Sequence, residues 1–469
     1  MRYLIIILLL VFGLNESFGQ RKRTPLQTKS SLAIKYYSAK DYEKAIPLLK
    51  EVYQLSRNGT YFRYYIICLV ETKNYDAAES EIEKEIKKQK TPRPDFYIHW
   101  GRVLKVRKQN DEAQEKFKKA LEIIPANKGQ YLTTANAFLT WGEYELAKET
   151  YLQGRRVLAP EQFSYELARS YLYLRDYENM MEEYLNLLRQ SEKQLARVQS
   201  SLSSAMRLDI DDGLRNKFRG QVLKRIQTEP HVIGYNRLLI WFFLQERKFS
   251  SALRQSVALD RRTGAEAGQI AQLGNMAIAN KQYSEAKKAY KYLMDKGNEN
   301  PFFAQAYAGN IHASYLEFIN EFPKDTILGM NLSVQFKDGL EYLGYGPATI
   351  YLIREYAHLL AFYLDDSDQA LKVLQDGLKI VQLKPEQIGA LKTELADVHV
   401  YAGDPWEATL IYSQVIDVNK KSALGDEVKL KKAKLGYYMG NFSWAKAQLD
   451  VLKASTSKLT ANDAMALSM

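Results

Sequence analysis

The sequence predicts an all-α fold, a solenoid of stacked antiparallel helix hairpins. Three observations predict it. A small residue, nearly always alanine, returns about every 34 positions along most of the chain. Around each return, apolar residues keep the three-and-four spacing of a helix with one buried face. Glycine and proline are few, 25 and 12 in 469 residues, too few to punctuate a sandwich of short strands. Hydrophobic residues at 46% suffice for a core, and 26% charged residues suit a surface in water. The 33 tyrosines are the wedges such hairpins need between them.

In chain order, the first element is "MRYLIIILLLVFGLNESFGQ". Arg2 supplies a positive end, and the apolar run from Leu4 to Phe12 is shorter than the roughly 20 residues that span a bilayer. Ser17 and Gly19 are small at the positions a signal peptidase reads. Residues 1–19 therefore read as a signal peptide cleaved before Gln20. The expectation is an exported protein, periplasmic or in the outer envelope of a Gram-negative bacterium, with no transmembrane segment after cleavage. Cys68 is the single cysteine, so no internal disulfide can form, and its apolar setting "YYIICLV" reads as a small buried residue.

From residue 24 the repeat begins. "KDYEKA" ends on Ala45, "KNYDAA" on Ala78, "QNDEA" on Ala113, "GEYELA" on Ala147 and "RDYENM" on Met180. Those anchors stand 33, 35, 34 and 33 residues apart. "RKFSSA" and "KQYSEA" place Ala252 and Ala286 34 apart, and "DDSDQA", "GDPWEA" and "GNFSWA" place Ala370, Ala408 and Ala445 38 and 37 apart. The predicted organisation is an N-terminal array over 24–190, a middle pair over 233–297 and a C-terminal array over 347–469. Two segments lose the anchor, 191–232 and the irregular helical 298–346; they read as degenerate, longer hairpins, the alternative being breaks that redirect the superhelix and divide the chain into lobes. The final "KLTANDAMALSM" reads as the first helix of a further unit, with Thr460 or Asn462 as cap and Ala464 and Leu467 on one face. The chain is expected to continue beyond it.

Each unit has a helix before the anchor and a helix after it. The turn between them should place Asn, Asp or Gly at any unusual backbone angle. Gly101 and Ala113 are small where the two helices of one hairpin cross, while Trp100 and Phe117 fill the space between neighbouring hairpins. Pro125 ends the unit. A lone hairpin cannot bury its apolar face, so stacking stabilises the array.

This grammar resembles the tetratricopeptide repeat family. Tyr97, Trp100, Gly101, Leu104, Ala113, Phe117, Ala120 and Pro125 follow its pattern, as do Ala135, Phe138, Ala147 and Tyr151, and Gly274, Ala286 and Tyr290. About ten units are visible. The resemblance implies a right-handed superhelix whose first helices line a concave groove for a peptide or protein. It places Arg63, Tyr64, His99, Arg102, Asn136, Tyr165, Arg169, Arg237, Trp241 and Asn275 on that groove. Arg102, Asn136 and Arg169 hold equivalent places in three successive units, a ladder of donors for a carboxylate or backbone carbonyls. The family's lysine clamp for a terminal carboxylate is not matched, because Leu132 stands where the lysine would be.

No catalytic constellation is legible. The five histidines, His99, His231, His312, His358 and His399, form no metal spacing. Neither a nucleophile elbow nor a phosphate loop ending in Gly-Lys-Ser/Thr is present. The expectation is a non-enzymatic scaffold without cofactor or metal. The net charge of +11 comes from 66 basic and 55 acidic residues, mixed along the chain, which argues against nucleic acid as partner. The alternative reading is an envelope polysaccharide binder that stacks sugars on groove aromatics. Tyrosine and tryptophan beside acidic residues would favour it, whereas Arg and Asn favour a peptide.

Overall fold

The computed structural model describes residues 24–91, 93–209, 212–420, 422–453 and 462–466. The expected signal peptide, residues 1–19, lies outside them, as do Thr460 and Leu467. The described residues contain no strand, and their helices follow one another in antiparallel pairs. No described helix is long and apolar enough to cross a membrane. The chain divides into two compact units, 1–232 and 233–469.

The first unit pairs α1 (Pro25–Ser38) with α2 (Tyr42–Ser56), α3 (Gly59–Glu71) with α4 (Tyr75–Lys87) and α5 (Pro94–Val106) with α6 (Asn110–Glu122). It continues with α7 (Lys128–Thr140) and α8 (Tyr144–Val157), then α9 (Ser164–Tyr173) and α10 (Tyr177–Gln190). Each helix packs against its partner and then against the next pair, and α3, α5 and α7 also touch one another. First helices therefore form one layer and second helices another. The last pair of the unit, α11 (Leu195–Leu208) and α12 (Gly213–Thr228), departs from this. Instead of closing tightly on α11, α12 packs against α10, where Arg225 reaches Glu182, Asn186 and Glu229. The Asp209 carboxylate accepts from the Leu214 backbone N–H at 2.9 Å, satisfying a donor at the start of α12.

The second unit pairs α13 (Ile233–Gln245) with α14 (Phe249–Thr263), and α15 (Ala267–Ala279) with α16 (Tyr283–Met294). It goes on through α17 (Phe303–Asn320) with α18 (Thr326–Leu343), and α19 (Ile350–Tyr363) with α20 (Ser367–Leu378). The last pairs are α21 (Pro385–Tyr401) with α22 (Pro405–Val418) and α23 (Ala423–Tyr438) with α24 (Phe442–Leu452). Both helices of the α17–α18 pair have 18 residues, and Tyr315 meets Phe336 edge-on between them at 5.9 Å. Beyond α24, residues 462–466 are helical and bury Ala464 completely against Leu430, Ala433, Leu449 and Leu452.

The anchors sit at matching crossings. Ala45, Ala78, Ala147, Ala252, Ala286, Ala370, Ala408 and Ala445 are fully buried, as is Met180, and Ala113 nearly so. A Cβ on Gly101 would stand 2.5 Å from a ring carbon of Phe117 and 3.0 Å from the Ala113 carbonyl oxygen. Gly274 meets Tyr290, and Gly436 meets Trp444, in the same way. Trp100 packs between two clusters of the core, with Lys116 Nζ 4.0 Å from its ring centroid. Pro125 lies exposed just past α6.

The turns correct one expectation. Five residues before each anchor, the backbone enters the left-handed region. Those residues are Lys40, Lys73, Lys108, Gly142, Arg175, Arg247, Lys281, Asp365, Gly403 and Gly440. Six of the ten are lysine or arginine, not Asn, Asp or Gly. The hairpin closure imposes the angle. The N–H that follows donates five residues back, as Asn74 does to the Leu69 carbonyl at 2.8 Å and Gln282 to that of Ala277 at 2.8 Å. Asp41, Asn74 and Asp176 come one place later, at the start of the second helix.

Candidate binding groove

The first-helix layer of the first unit holds a shallow cleft of about 210 Å³. It is lined by Asn58, Thr60 and Arg63 from α3 and its cap, Arg93, Asp95 and His99 at α5, and Thr133 and Ala137 of α7. Positions three or four apart on three parallel helices thus converge on one space, as helical periodicity requires.

The cleft's charge balance is uneven. Arg93 is already held, since its Nε donates to Asp95 at 3.0 Å and its Nη2 at 2.5 Å. The Arg63 Nε is buried and has no hydrogen-bond partner among the described residues. Its guanidinium lies 5.3 Å from the Tyr64 ring, and Tyr64 in turn stacks on Tyr37 at 4.3 Å. Arg102 repeats the pattern one hairpin on. Its guanidinium lies 5.5 Å from the Trp141 ring, and its Nε is likewise buried without a partner. Unpartnered buried donors are costly, by about 1–3 kcal/mol each, so an acceptor that reached either Nε would relieve that cost.

His99 lines the cleft from within the core rather than projecting into it. It is 1% exposed, between Phe62 and Trp141, and its Nδ1 accepts from Trp141 Nε1 at 2.9 Å. Burial pushes its pKa down to about 4, with the Asp95 carboxylate opposing. The ring is therefore neutral and carries its proton on Nε2. The partner is the half-buried Trp141, whose indole N–H finds its acceptor in this ring.

Of the remaining expected residues, Asn136 and Arg169 are exposed on α7 and α9, and Tyr165 is half-buried. Arg169 bonds to the Tyr173 side chain. Tyr165 is capped by Arg197 of α11, 3.3 Å from its ring centroid. Arg197, Arg93 and Trp141 escaped the sequence reading. Trp141 could have been found, as it immediately precedes the left-handed Gly142 in "FLTWGEYELA". Arg237, Trp241 and Asn275 belong to the second unit. There Arg237 is not a free donor, because its Nη2 lies 2.5 Å from the buried Glu266 carboxylate. Asn275 accepts from the Tyr290 hydroxyl at 2.6 Å, and Trp241 is half-buried.

Residues 36–93, from late α1 to the start of α5, match the model of the tetratricopeptide repeat family. The match covers the second helix of one hairpin and the whole of the next, α2 to α4. The matched tetratricopeptide segment includes Arg63, Tyr64 and Arg93 of the cleft. No curated protein sequence matches the chain. Among solved structures it is similar to the APC/C hetero-tetramer Cut9-Hcn1, with 12% identity and TM-score 0.35 over 95% of this chain and 97% of that one. It is similar to Naa15/Naa10 bound to HypK-THB, with 13% identity and TM-score 0.28 over 95% and 71%. It is also similar to yeast Tom70, with 12% identity and TM-score 0.36 over 94% of both chains.

The core between the hairpins accounts for Cys68 as well. The thiol is buried, and burial followed by the Glu71 carboxylate pushes its pKa up to about 12. Among the described residues no group of three or more His, Cys, Asp or Glu side chains could hold a metal ion.

Proposed function

We propose that the protein is a non-enzymatic scaffold that binds an extended peptide or a protein segment in the first-helix groove of residues 24–190. The observation that carries this reading is the pair Arg63 and Arg102. Each has a buried Nε without a hydrogen-bond partner among the described residues, and each guanidinium lies beside an aromatic ring. Arginine beside tyrosine or tryptophan is the composition that dominates binding energy at protein interfaces. Two such donors, one hairpin apart, suit carbonyls or carboxylates spaced along an extended chain. We place this scaffold in the bacterial envelope, as an adaptor in assembly or secretion, on the strength of the signal-like N-terminal sequence.

A photo-crosslinking residue at Thr133 of the cleft, compared with one at the exposed Lys118 of α6, tests the reading in intact cells. A discrete protein adduct is expected from position 133 only, lost in the Arg63→Ala/Arg102→Ala variant. The same adduct from both positions, undiminished by the double substitution, would remove the groove from the account.

A further inference from the structure

The second unit carries a polar belt on its first helices whose chemistry differs from that of the arginine cleft. Five ionisable groups meet on α17, α19 and α21. His312 Nδ1 lies 2.7 Å from Glu355 Oε1. His358 Nδ1 lies 2.8 Å from Glu394 Oε1, and Arg354 Nη2 approaches the other oxygen of Glu394 at 3.7 Å. Glu394 is thereby held by one hydrogen bond and one longer ion pair. Glu355 is not. Its Oε2 is buried with no hydrogen-bond partner among the described residues, and so is the Arg354 Nε beside it in sequence. Burial raises the Glu355 pKa, with His312, Arg354 and His358 opposing.

Aromatic rings flank these groups. Tyr351 meets His312 edge-on at 5.4 Å and is 37% exposed. Tyr315 meets His358 edge-on at 6.4 Å. Phe362 lies 4.5 Å from His358, and the 48% exposed Tyr401 packs edge-on against Phe362 at 5.1 Å. The belt thus leaves Glu355 Oε2, Arg354 Nε and His312 Nδ1 without hydrogen-bond partners among the described residues, in near-balanced charge, with partly exposed tyrosines along it.

We propose that this belt is a saccharide-binding subsite. Oε2 accepts and Nε donates, so a ligand that fills them must supply both a donor and an acceptor, as hydroxyls do. A ligand with many hydroxyls and apolar ring faces also covers exposed Tyr351 and Tyr401. The balanced charge selects against strongly ionic ligands, because each carboxylate already has a cationic or imidazole neighbour. A peptide amide could satisfy the same two atoms, but has no flat apolar face for the tyrosines. This inference does not rest on the peptide reading of the first unit, and either can fail alone.

The test is isothermal titration of the full chain with cellotetraose, maltotetraose and chitotetraose, and with a blocked tetra-alanine peptide as the amide probe. At least one tetrasaccharide should bind. Tyr351→Ala should weaken that binding about tenfold or more, the loss typical of a ring at the centre of a contact. Glu355→Ala should weaken it similarly, and Glu355→Gln, which keeps an acceptor oxygen, should recover part of the loss. Circular dichroism melts of the four proteins separate lost binding from lost folding. Tyr351 is partly open, so its variant remains informative if the Glu355 variants unfold. Binding of the blocked peptide alone, binding of no probe, or saccharide binding indifferent to Tyr351→Ala would each overturn the proposal.

Discussion

The tight crossing at Gly101 in the N-terminal array invites a paired substitution. In Gly101→Ala the new methyl would meet the Phe117 ring at 2.5 and 2.7 Å and the Ala113 carbonyl at 3.0 Å. Ordinary carbon contacts lie near 3.5–4.0 Å, so the ring or the helix must retreat by about 1 Å. Phe117 is fully buried and wedged edge-on against Phe138 at 5.7 Å, which leaves it nowhere to go. Overpacking of this kind costs about 1–3 kcal/mol, while alanine recovers about 1 kcal/mol of helix propensity. The net is a loss of up to about 2 kcal/mol. Gly220→Ala in α12 is the counterpart. Its Cβ would meet nothing within 4 Å on an exposed helical face, so only the gain of about 1 kcal/mol remains. At about 2–4 °C per kcal/mol for a unit of this size, calorimetry should show the two variants shifting the melting midpoint of the first unit in opposite directions. Truncating Phe117 to leucine in the Gly101→Ala background should recover stability. A rise in midpoint for Gly101→Ala, matching that of Gly220→Ala, would refute the crossing that the repeat reading rests on.

Other consequences follow from the turns and the buried groups. Lys73→Gly relieves a left-handed lysine and should stabilise the array by about 0.5–1 kcal/mol, whereas Gly142→Ala at the equivalent turn should cost about 1–2 kcal/mol; urea midpoints decide both. His99 titrates near 4 when folded and near 6.5 when unfolded, so the unfolded chain takes up the proton first as pH falls. Its contribution is complete above about pH 6.5 and lost progressively down to about pH 4, up to about 3 kcal/mol, and His99→Gln should flatten that part of the stability profile. Cys68, buried and with its pKa near 12, should resist iodoacetamide in the native protein and react only after denaturation; native labelling at an ordinary thiol rate would contradict its packing.

The fold was legible because the repeat is a packing requirement written in residue size. A methyl at each helix crossing and a ring beside it recur wherever two hairpins nest, so spacing alone located Ala45, Ala113 and Ala286. The turn chemistry was less legible. Helix closure demands a left-handed residue but tolerates lysine there, and the preference for Asn or Gly is too weak to override it. The groove was only partly legible. Repeat position can say that His99 and Arg63 share a face, and they do share a cleft. It cannot say that Trp141, 42 residues on, needs the imidazole nitrogen and draws it into the core. The Arg237–Glu266 pair and the His358–Glu394 pair were hidden for the same reason. Each joins groups about one repeat apart, 29 and 36 residues, which read as unrelated surface charges until the helices are laid side by side.

The change of period toward the C-terminus shows how the array keeps its faces aligned. Anchors 33–35 residues apart go with first helices of 13 residues, as in α3, α5 and α7. Anchors 38 and 37 apart go with first helices of 17 and 16 residues, α21 and α23. The increment is about one helical turn of 3.6 residues, so every side chain returns to nearly its original angle. Glu394 of α21 can therefore still meet His358 of α19, and Lys431 of α23 still meets Asp397 of α21 at 2.5 Å. An insertion of two residues would instead turn half the helix by about 200°, sending core positions to solvent. Inserting two or four alanines after Ala135 in α7 separates these cases. Two would swing Phe138 away from the face shared with Tyr131, while four leave it about 40° off. Both rings are buried in the same cluster, so the two-residue insertion should abolish the cooperative melt and the four-residue insertion should only lower it. Equal damage from both would mean that helix length, rather than angular phase, governs stacking in this array.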